Sequence, residues 1–205
     1  TDTIYSALAY SLSAELENLV LTGVGDDTGT GNSSNNLLDG SQSSGANQLV
    51  GGSGDDTYVL GLGDSVVEMT DDGNDTVVTS ASHTLASNIE RLILSGSAAT
   101  TGTGTAGNDG LDGSQNAAAN VLIGLDGDDT YYVDTLDAIV EAADGGHDTA
   151  VVMGASHTLV DHVENLVIAE SAGSASGTGN AQNNILTGNS SSNRLDGVAG
   201  DDTLR

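Results

Sequence analysis

Two intervals of 73 residues govern this chain: Gly54 to Gly127, and Gly127 to Gly200. Glu17-Asn18-Leu19 returns after 73 residues as Glu90-Arg91-Leu92 and after another 74 as Glu164-Asn165-Leu166. Ser82-His83-Thr84-Leu85 and Ser156-His157-Thr158-Leu159 stand 74 apart, with Tyr10-Ser11-Leu12 as their earlier counterpart. Self-similarity at a fixed period argues against one unique globular core, because each copy must build the same local structure and bury it against its neighbours.

Each long repeat divides further. A polar or acidic residue is followed two places on by an apolar one at Asp56/Tyr58, Asp64/Val66, Asp75/Val77, His83/Leu85 and Glu90/Leu92. The series continues through a weak Thr101/Thr103 step to Asp109/Leu111 and Asn120/Leu122, then restarts at Asp129/Tyr131. The second repeat gives Asp137/Ile139, Asp148/Ala150, His157/Leu159, Glu164/Leu166, Asn184/Leu186 and Asn193/Leu195, and Asn36/Leu38 with Asn47/Leu49 precede the first. Steps of about nine residues fit two turns and two short strands per coil of about eighteen, an all-β parallel solenoid. Residues 13–19 and 86–92 are too short for a stable isolated helix. The expectation is a single continuous roll over 1–205 of roughly eleven coils, with long repeats at about 10–50 (partial), 51–123, 124–196 and 197–205 (partial).

Composition agrees. With 29 Gly, no Pro, Cys, Trp or Phe and five Tyr, the chain has few large side chains for a globular core, whereas a thin solenoid needs little core per residue. Disorder is the competing reading of so polar a chain, and the periodic apolar positions oppose it. Charge is the second constraint: 30 acidic residues against three Arg and no Lys give a formal net charge of −27. Self-repulsion of that size resists compaction unless counterions offset it. Nucleic acid and anionic lipid are disfavoured partners, since binding them relies on Lys and Arg. No stretch is apolar enough for membrane insertion and no signal peptide is visible. Because it begins inside one repeat and stops at the end of another unit, the chain reads as a fragment of a larger protein, whose other domains are expected partners.

The turns carry the chemistry. Gly51-Gly52-Ser53-Gly54-Asp55-Asp56-Thr57-Tyr58-Val59 combines glycines that allow a tight turn with a carboxylate at its sixth position and an inward aromatic at its eighth. The unit returns at 124–132 and 197–205, where Leu125 and Val198 replace the second glycine and make the turns less permissive. Stacking coils places Glu17, Asn36, Asp56, Asp75, Glu90, Asp109, Asp129, Asp148, Glu164, Asn184 and Asp202 on one edge. The other edge carries Asn47, Asp64, His83, Thr101, Asn120, Asp137, His157 and Asn193. The first edge is an acid ladder, and stacked carboxylates repel unless a cation such as Ca²⁺ sits between them.

The stretch 51–59 fits the nonapeptide GGxGxDxUx at every specified position, and the chain thereby resembles the RTX (repeats-in-toxin) family of calcium-binding proteins. The resemblance implies a right-handed parallel β-roll with Ca²⁺ between adjacent turns. Carried over, it implies ligand pairs Asp56 with Asp75, Asp109 with Asp129, and Asp129 with Asp148. Backbone around Gly51, Ser53, Gly54, Gly124, Asp126 and Gly127 would complete the shells, and Asp202, facing Asn184, lacks an acidic partner. The chain departs from the family in having one good nonapeptide per long repeat, so a few ions are expected and not one per turn. Asn at positions 36, 47, 120, 184 and 193 is expected to close its turn by side-chain hydrogen bonds.

Catalysis is not expected: no nucleophile elbow accompanies Asp161-His162, and no HxH or HExxH spacing exists. His83 and His157 read as turn-flanking, and Thr28-Gly29-Thr30-Gly31, Thr101-Gly102-Thr103-Gly104 and Ser176-Gly177-Thr178-Gly179 as narrow turns. The functional expectation is a non-catalytic, extracellular or cell-surface module whose folding is coupled to calcium. The alternatives are an accessory targeting or substrate-binding module of a secreted enzyme, and a structural solenoid independent of metal.

Overall fold

The computed structural model describes residues 1–70 and 73–205, in two compact units: Thr1–Ala81 with Leu85–Ile93, and Ser82–Thr84 with Leu94–Arg205. Short strands separated by turns fill both. They are β1 (Thr3–Ser6), β2 (Tyr10–Ser11), β3 (Asn18–Leu21), β4 (Thr28–Thr30), β5 (Leu37–Asp39), β6 (Gln48–Val50), β7 (Thr57–Leu60) and β8 (Ser65–Val67). Then come β9 (Thr76–Thr79), β10 (His83–Thr84), β11 (Arg91–Leu94), β12 (Thr101–Thr103), β13 (Gly110–Asp112), β14 (Val121–Ile123), β15 (Thr130–Val133) and β16 (Ala138–Val140). The chain finishes with β17 (Thr149–Val152), β18 (Ser156–Thr158), β19 (Asn165–Ile168), β20 (Ser176–Thr178), β21 (Ile185–Thr187), β22 (Arg194–Asp196) and β23 (Thr203–Leu204). A 3-10 turn at Glu170–Ala172 is the only helical piece among the described residues. No helix there is long and apolar enough to cross a membrane.

Each strand pairs in parallel with the strand two places on. In the first unit β1-β3-β5-β7-β9 form one sheet and β2-β4-β6-β8 the other. In the second, β13-β15-β17-β19-β21-β23 form one sheet, with β10-β12-β14-β16 and β18-β20-β22 as the others. Every coil thus gives one strand to each of two sheets, which is the parallel β-solenoid that the nine-residue step predicts. The eight strands from β7 to β14 make one long repeat before β15 restarts it.

In each unit the core is a column of apolar side chains supplied by successive strands. Leu19, Leu38, Tyr58 and Val77 stand in register through the first unit, and Leu111, Tyr131, Ala150, Leu166 and Leu186 through the second. All nine are fully buried. Because side chains alternate across a strand, the residue two places after each turn carboxylate or amide is the one that points inward.

One reading of the sequence changes. Thr28–Thr30, Thr101–Thr103 and Ser176–Thr178 are strands, not turns, with their glycine in the buried column. A Cβ on Gly29 would press on Leu19 and Leu49 at 3.0 and 3.2 Å, and one on Gly177 on Leu166 at 2.5 Å. The glycine lets leucines from the opposite sheet fill the interior. His83 opens the two-residue strand β10 just after a bend and His157 lies within β18, in register with Gly102 and Gly177. Burial pushes both imidazoles below their usual pKa.

The nonapeptide turns take the left-handed backbone that their glycines allow: φ is 106° at Gly52 and 107° at Gly54. Leu125 and Val198 adopt the same region, at 85° and 72°, where a side chain costs about 1–2 kcal/mol. Both side chains are exposed and contribute little packing. Leu125→Gly and Val198→Gly are each expected to raise stability by about 0.5–1 kcal/mol, read as a higher thermal midpoint in either calcium or chelator. An unchanged or lower midpoint would contradict the strain at these turns.

Candidate metal centre

The sixth-position residues form a ladder of side-chain to backbone hydrogen bonds along one edge. Asn36 N–H donates to Asp56 Oδ1 at 2.7 Å, Asp56 N–H to Asp75 Oδ1 at 2.8 Å, and Asp75 N–H to Glu90 Oε2 at 2.8 Å. The second unit repeats it: Asp109 N–H to Asp129 Oδ1 at 2.7 Å, Asp129 N–H to Asp148 Oδ1 at 2.8 Å, and Asp148 N–H to Glu164 Oε2 at 2.9 Å. At the lower end Asn184 N–H donates to Asp202 Oδ1 at 2.9 Å. The opposite edge does the same through Asn47 to Asp64 and Asn120 to Asp137. A carboxylate of one coil thereby satisfies the backbone of the coil before it, and half of each buried carboxylate is accounted for.

What happens to the other oxygen separates the turns. In most of them that oxygen, or the single amide oxygen of an Asn, accepts the N–H of the residue three or four places back in its own turn. Asn32, Thr105, Asn180 and Asn189 donate in this way to Asn36, Asp109, Asn184 and Asn193 at 2.6–2.8 Å. Gly61 and Asp134 do so to Asp64 and Asp137 at 2.8 and 2.9 Å. The Asn side chains also donate across coils, Asn36 Nδ2 to Leu16 and Glu17 carbonyls at 3.3 and 3.2 Å. These turns are closed by the chain itself. In the nonapeptide turns the residue four back is Gly52 or Leu125, whose positive φ turns the local backbone another way. Asp56 Oδ2 and Asp129 Oδ2 are left buried with no hydrogen-bond partner, as is Asp148 Oδ2 in the following coil.

Around those oxygens lie two equivalent clusters. Ligand atoms of Asp56, Glu68 and Asp75 fall within 4.8 Å of one another, and so do those of Asp129, Glu141 and Asp148. The aspartates are 0–1 % exposed. The glutamates follow from strand register. Val50 pairs with Val67 and Ile123 with Val140, so Glu68 and Glu141 stack directly on Gly51 and Gly124. A Cβ on either glycine would collide with the aspartate Oδ2, with the hydroxyl of Tyr58 or Tyr131, and with the stacked glutamate. The first glycine of the motif is therefore required by a convergence of side-chain oxygens.

The sites implied by the resemblance are partly assembled. Asp56 meets Asp75, and Asp129 meets Asp148, each pair joined by a glutamate that sequence reasoning missed. Asp109 stacks on Asp129 but gives its second oxygen to the Thr105 N–H and hydroxyl. Asp202 Oδ1 accepts the Asn184 N–H and faces an amide, not a second carboxylate. The carbonyl oxygens of Gly51 and Gly124 lie against Gly31 and Gly104 of the preceding coil, whereas the glutamates belong to the following one. Those of Gly54 and Gly127 lie against Gly73 and Gly146 of the following turn, and Ser53 and Asp126 sit exposed at turn tips. Glu68 and Glu141 are 73 residues apart, the one signal that could have found them. Compared with protein-family models, curated proteins and solved structures, the chain matches none.

Crowded, buried carboxylates hold protons tightly. Burial is the largest cause at each: it pushes Asp56 up to about 6, Glu68 to about 7, Asp129 to about 7 and Asp148 to about 6, with neighbouring carboxylates adding to it. These folded-state values lie above the ordinary carboxylate pKa of the unfolded chain. Their stabilising contribution is therefore full below that ordinary value and is lost as pH rises through 6 to 7. Cation-free protein is expected to melt at progressively lower temperature between about pH 5 and about pH 8, with a shallower slope when Glu68→Gln and Glu141→Gln are combined. A melting temperature that rises over that range would contradict the cluster chemistry.

Proposed function

We propose that this chain is a calcium-binding β-roll module of the RTX type, part of a secreted or cell-surface protein, whose folding and rigidity are coupled to Ca²⁺. One observation carries the reading: Asp56 Oδ2, Asp129 Oδ2 and Asp148 Oδ2 are buried without partners, each beside further carboxylates. An unpaired buried charge is among the costliest features a fold can hold. All the converging donors are oxygens, with no His or Cys, and that set suits a hard cation with flexible coordination over a transition metal. Calcium entering a cluster would satisfy the orphaned oxygens and tie turn 51–56 to Asp75, and turn 124–129 to Asp148. In the medium outside a cell, where calcium is abundant, such sites would be filled and the coils tightened by mass action.

The second reading, a solenoid that stands without metal, has its own support in the Asn-closed turns, which leave no comparable oxygen unpaired. The two readings meet in the number of ions: calcium is needed only where the nonapeptide turn occurs with its stacked glutamate. Calorimetric titration is expected to give two calcium ions per chain. Asp56→Asn with Asp129→Asn is expected to abolish or weaken that binding by about tenfold or more, while raising stability in chelator because a buried charge has been removed. Binding of unchanged affinity in this variant, or no calcium binding by the parent chain, would contradict the proposal.

A further inference from the structure

Among the nine column residues named above, Tyr58 and Tyr131 bear a hydroxyl, and they occupy the two coils that hold the carboxylate clusters. The equivalent positions on neighbouring coils are Leu38, Val77, Leu111 and Ala150. Each phenol is fully buried, and its ring reaches across the core to put the hydroxyl beside the aspartate Oδ2 and the stacked glutamate. One oxygen of each glutamate takes the next backbone N–H: Glu68 Oε2 accepts Met69 N–H at 3.2 Å and Glu141 Oε1 accepts Ala142 N–H at 2.8 Å. Its other oxygen turns inward. In the second site Tyr131 donates its hydroxyl proton to Glu141 Oε2. In the first, the Tyr58 hydroxyl and Glu68 Oε1 are both buried and neither has a partner.

We propose that the Tyr58–Glu68 and Tyr131–Glu141 pairs are what make one turn pair in each 73-residue repeat a site for a divalent, oxygen-seeking cation. The inference rests on the calcium-binding reading above and adds residues to it. Two aspartates alone occur elsewhere on the edge, as at Asp109 and Asp129, where Thr105 takes up the spare oxygen. The added glutamate supplies a third carboxylate. The phenol, fixed by core packing, holds that carboxylate's inner oxygen toward the aspartates, or stands next to the cation as a neutral oxygen once the glutamate has swung onto it. Tyr58 and Tyr131 are thus positioning residues for the glutamate, and the pair sets which turns bind.

The test is calcium titration of the full chain by calorimetry, beside thermal melting in chelator. Tyr131→Phe is expected to split the isotherm, leaving one site at parental affinity and weakening the other by about tenfold. Tyr58→Phe with Tyr131→Phe should weaken both while leaving the chelator melting temperature nearly unchanged. A role in packing alone would do the reverse, lowering that melting temperature and sparing affinity. Glu68→Gln with Glu141→Gln, which keeps shape and removes charge, is expected to lose about a hundredfold, and it decides the matter should the phenylalanine variants fold poorly. Parental affinity in both double variants would overturn the inference and leave the calcium reading standing. Failure of the parent chain to bind calcium would overturn both.

Discussion

One interaction recurs along the acidic edge: a carboxylate oxygen at the end of a turn accepts the backbone N–H of the equivalent residue one coil earlier. A parallel solenoid satisfies its strands through sheet hydrogen bonds, but the N–H groups at the turn have no strand to pair with. Burying them bare would cost about 1–3 kcal/mol each. Asp56, Asp75, Asp129 and Asp148 meet that need along the edge, and the buried carboxylates are the consequence. Much of the ladder of acids is in this sense structural before it is functional. Its negative charge partly faces backbone N–H dipoles and is not all waiting for a cation.

The division of labour follows from the second oxygen. A turn that lends an N–H from three or four residues back closes on itself, as at Asn36, Asp64, Asp109, Asp137, Asn184 and Asn193. A turn with left-handed backbone at its second position gives up that N–H and leaves an oxygen stranded. The glycine-rich motif is then a device for withholding a backbone donor as much as for bending the chain. Where a glutamate stacks on the first glycine of such a turn, three carboxylates converge and the demand for a cation or protons arises. The turn ending at Asp202 has the left-handed Val198 but no third carboxylate grouped with it among the described residues.

Much of this was legible in the sequence. The nine-residue step located the buried residues Leu19 to Val77 in the first unit and Leu111 to Leu186 in the second, because alternation along a strand ties each turn residue to the inward residue two places on. The acid ladder and the Asn-closed turns followed from the same step. Glu68 and Glu141 did not, since each reads as the continuation of an apolar strand and meets the aspartates only through register with Gly51 and Gly124. Thr28–Thr30, Thr101–Thr103 and Ser176–Thr178 were misplaced for a related reason: a glycine can occupy an inward position when leucines of the facing sheet fill its space, and a rule that looks for a large apolar residue passes over it. Asp71 and Asp72 lie outside the described residues.

The most direct test of cation-dependent turns is amide hydrogen exchange, compared between chelator and saturating calcium. Protection is expected to rise sharply at 51–59, 73–79, 124–133 and 141–152, around the two clusters, and to change little in the self-closed coils around Asn36, Asn120 and Asn184. Exchange that is indifferent to calcium throughout, or that changes equally in the Asn-closed coils, would contradict the assignment of cation binding to these two turn pairs.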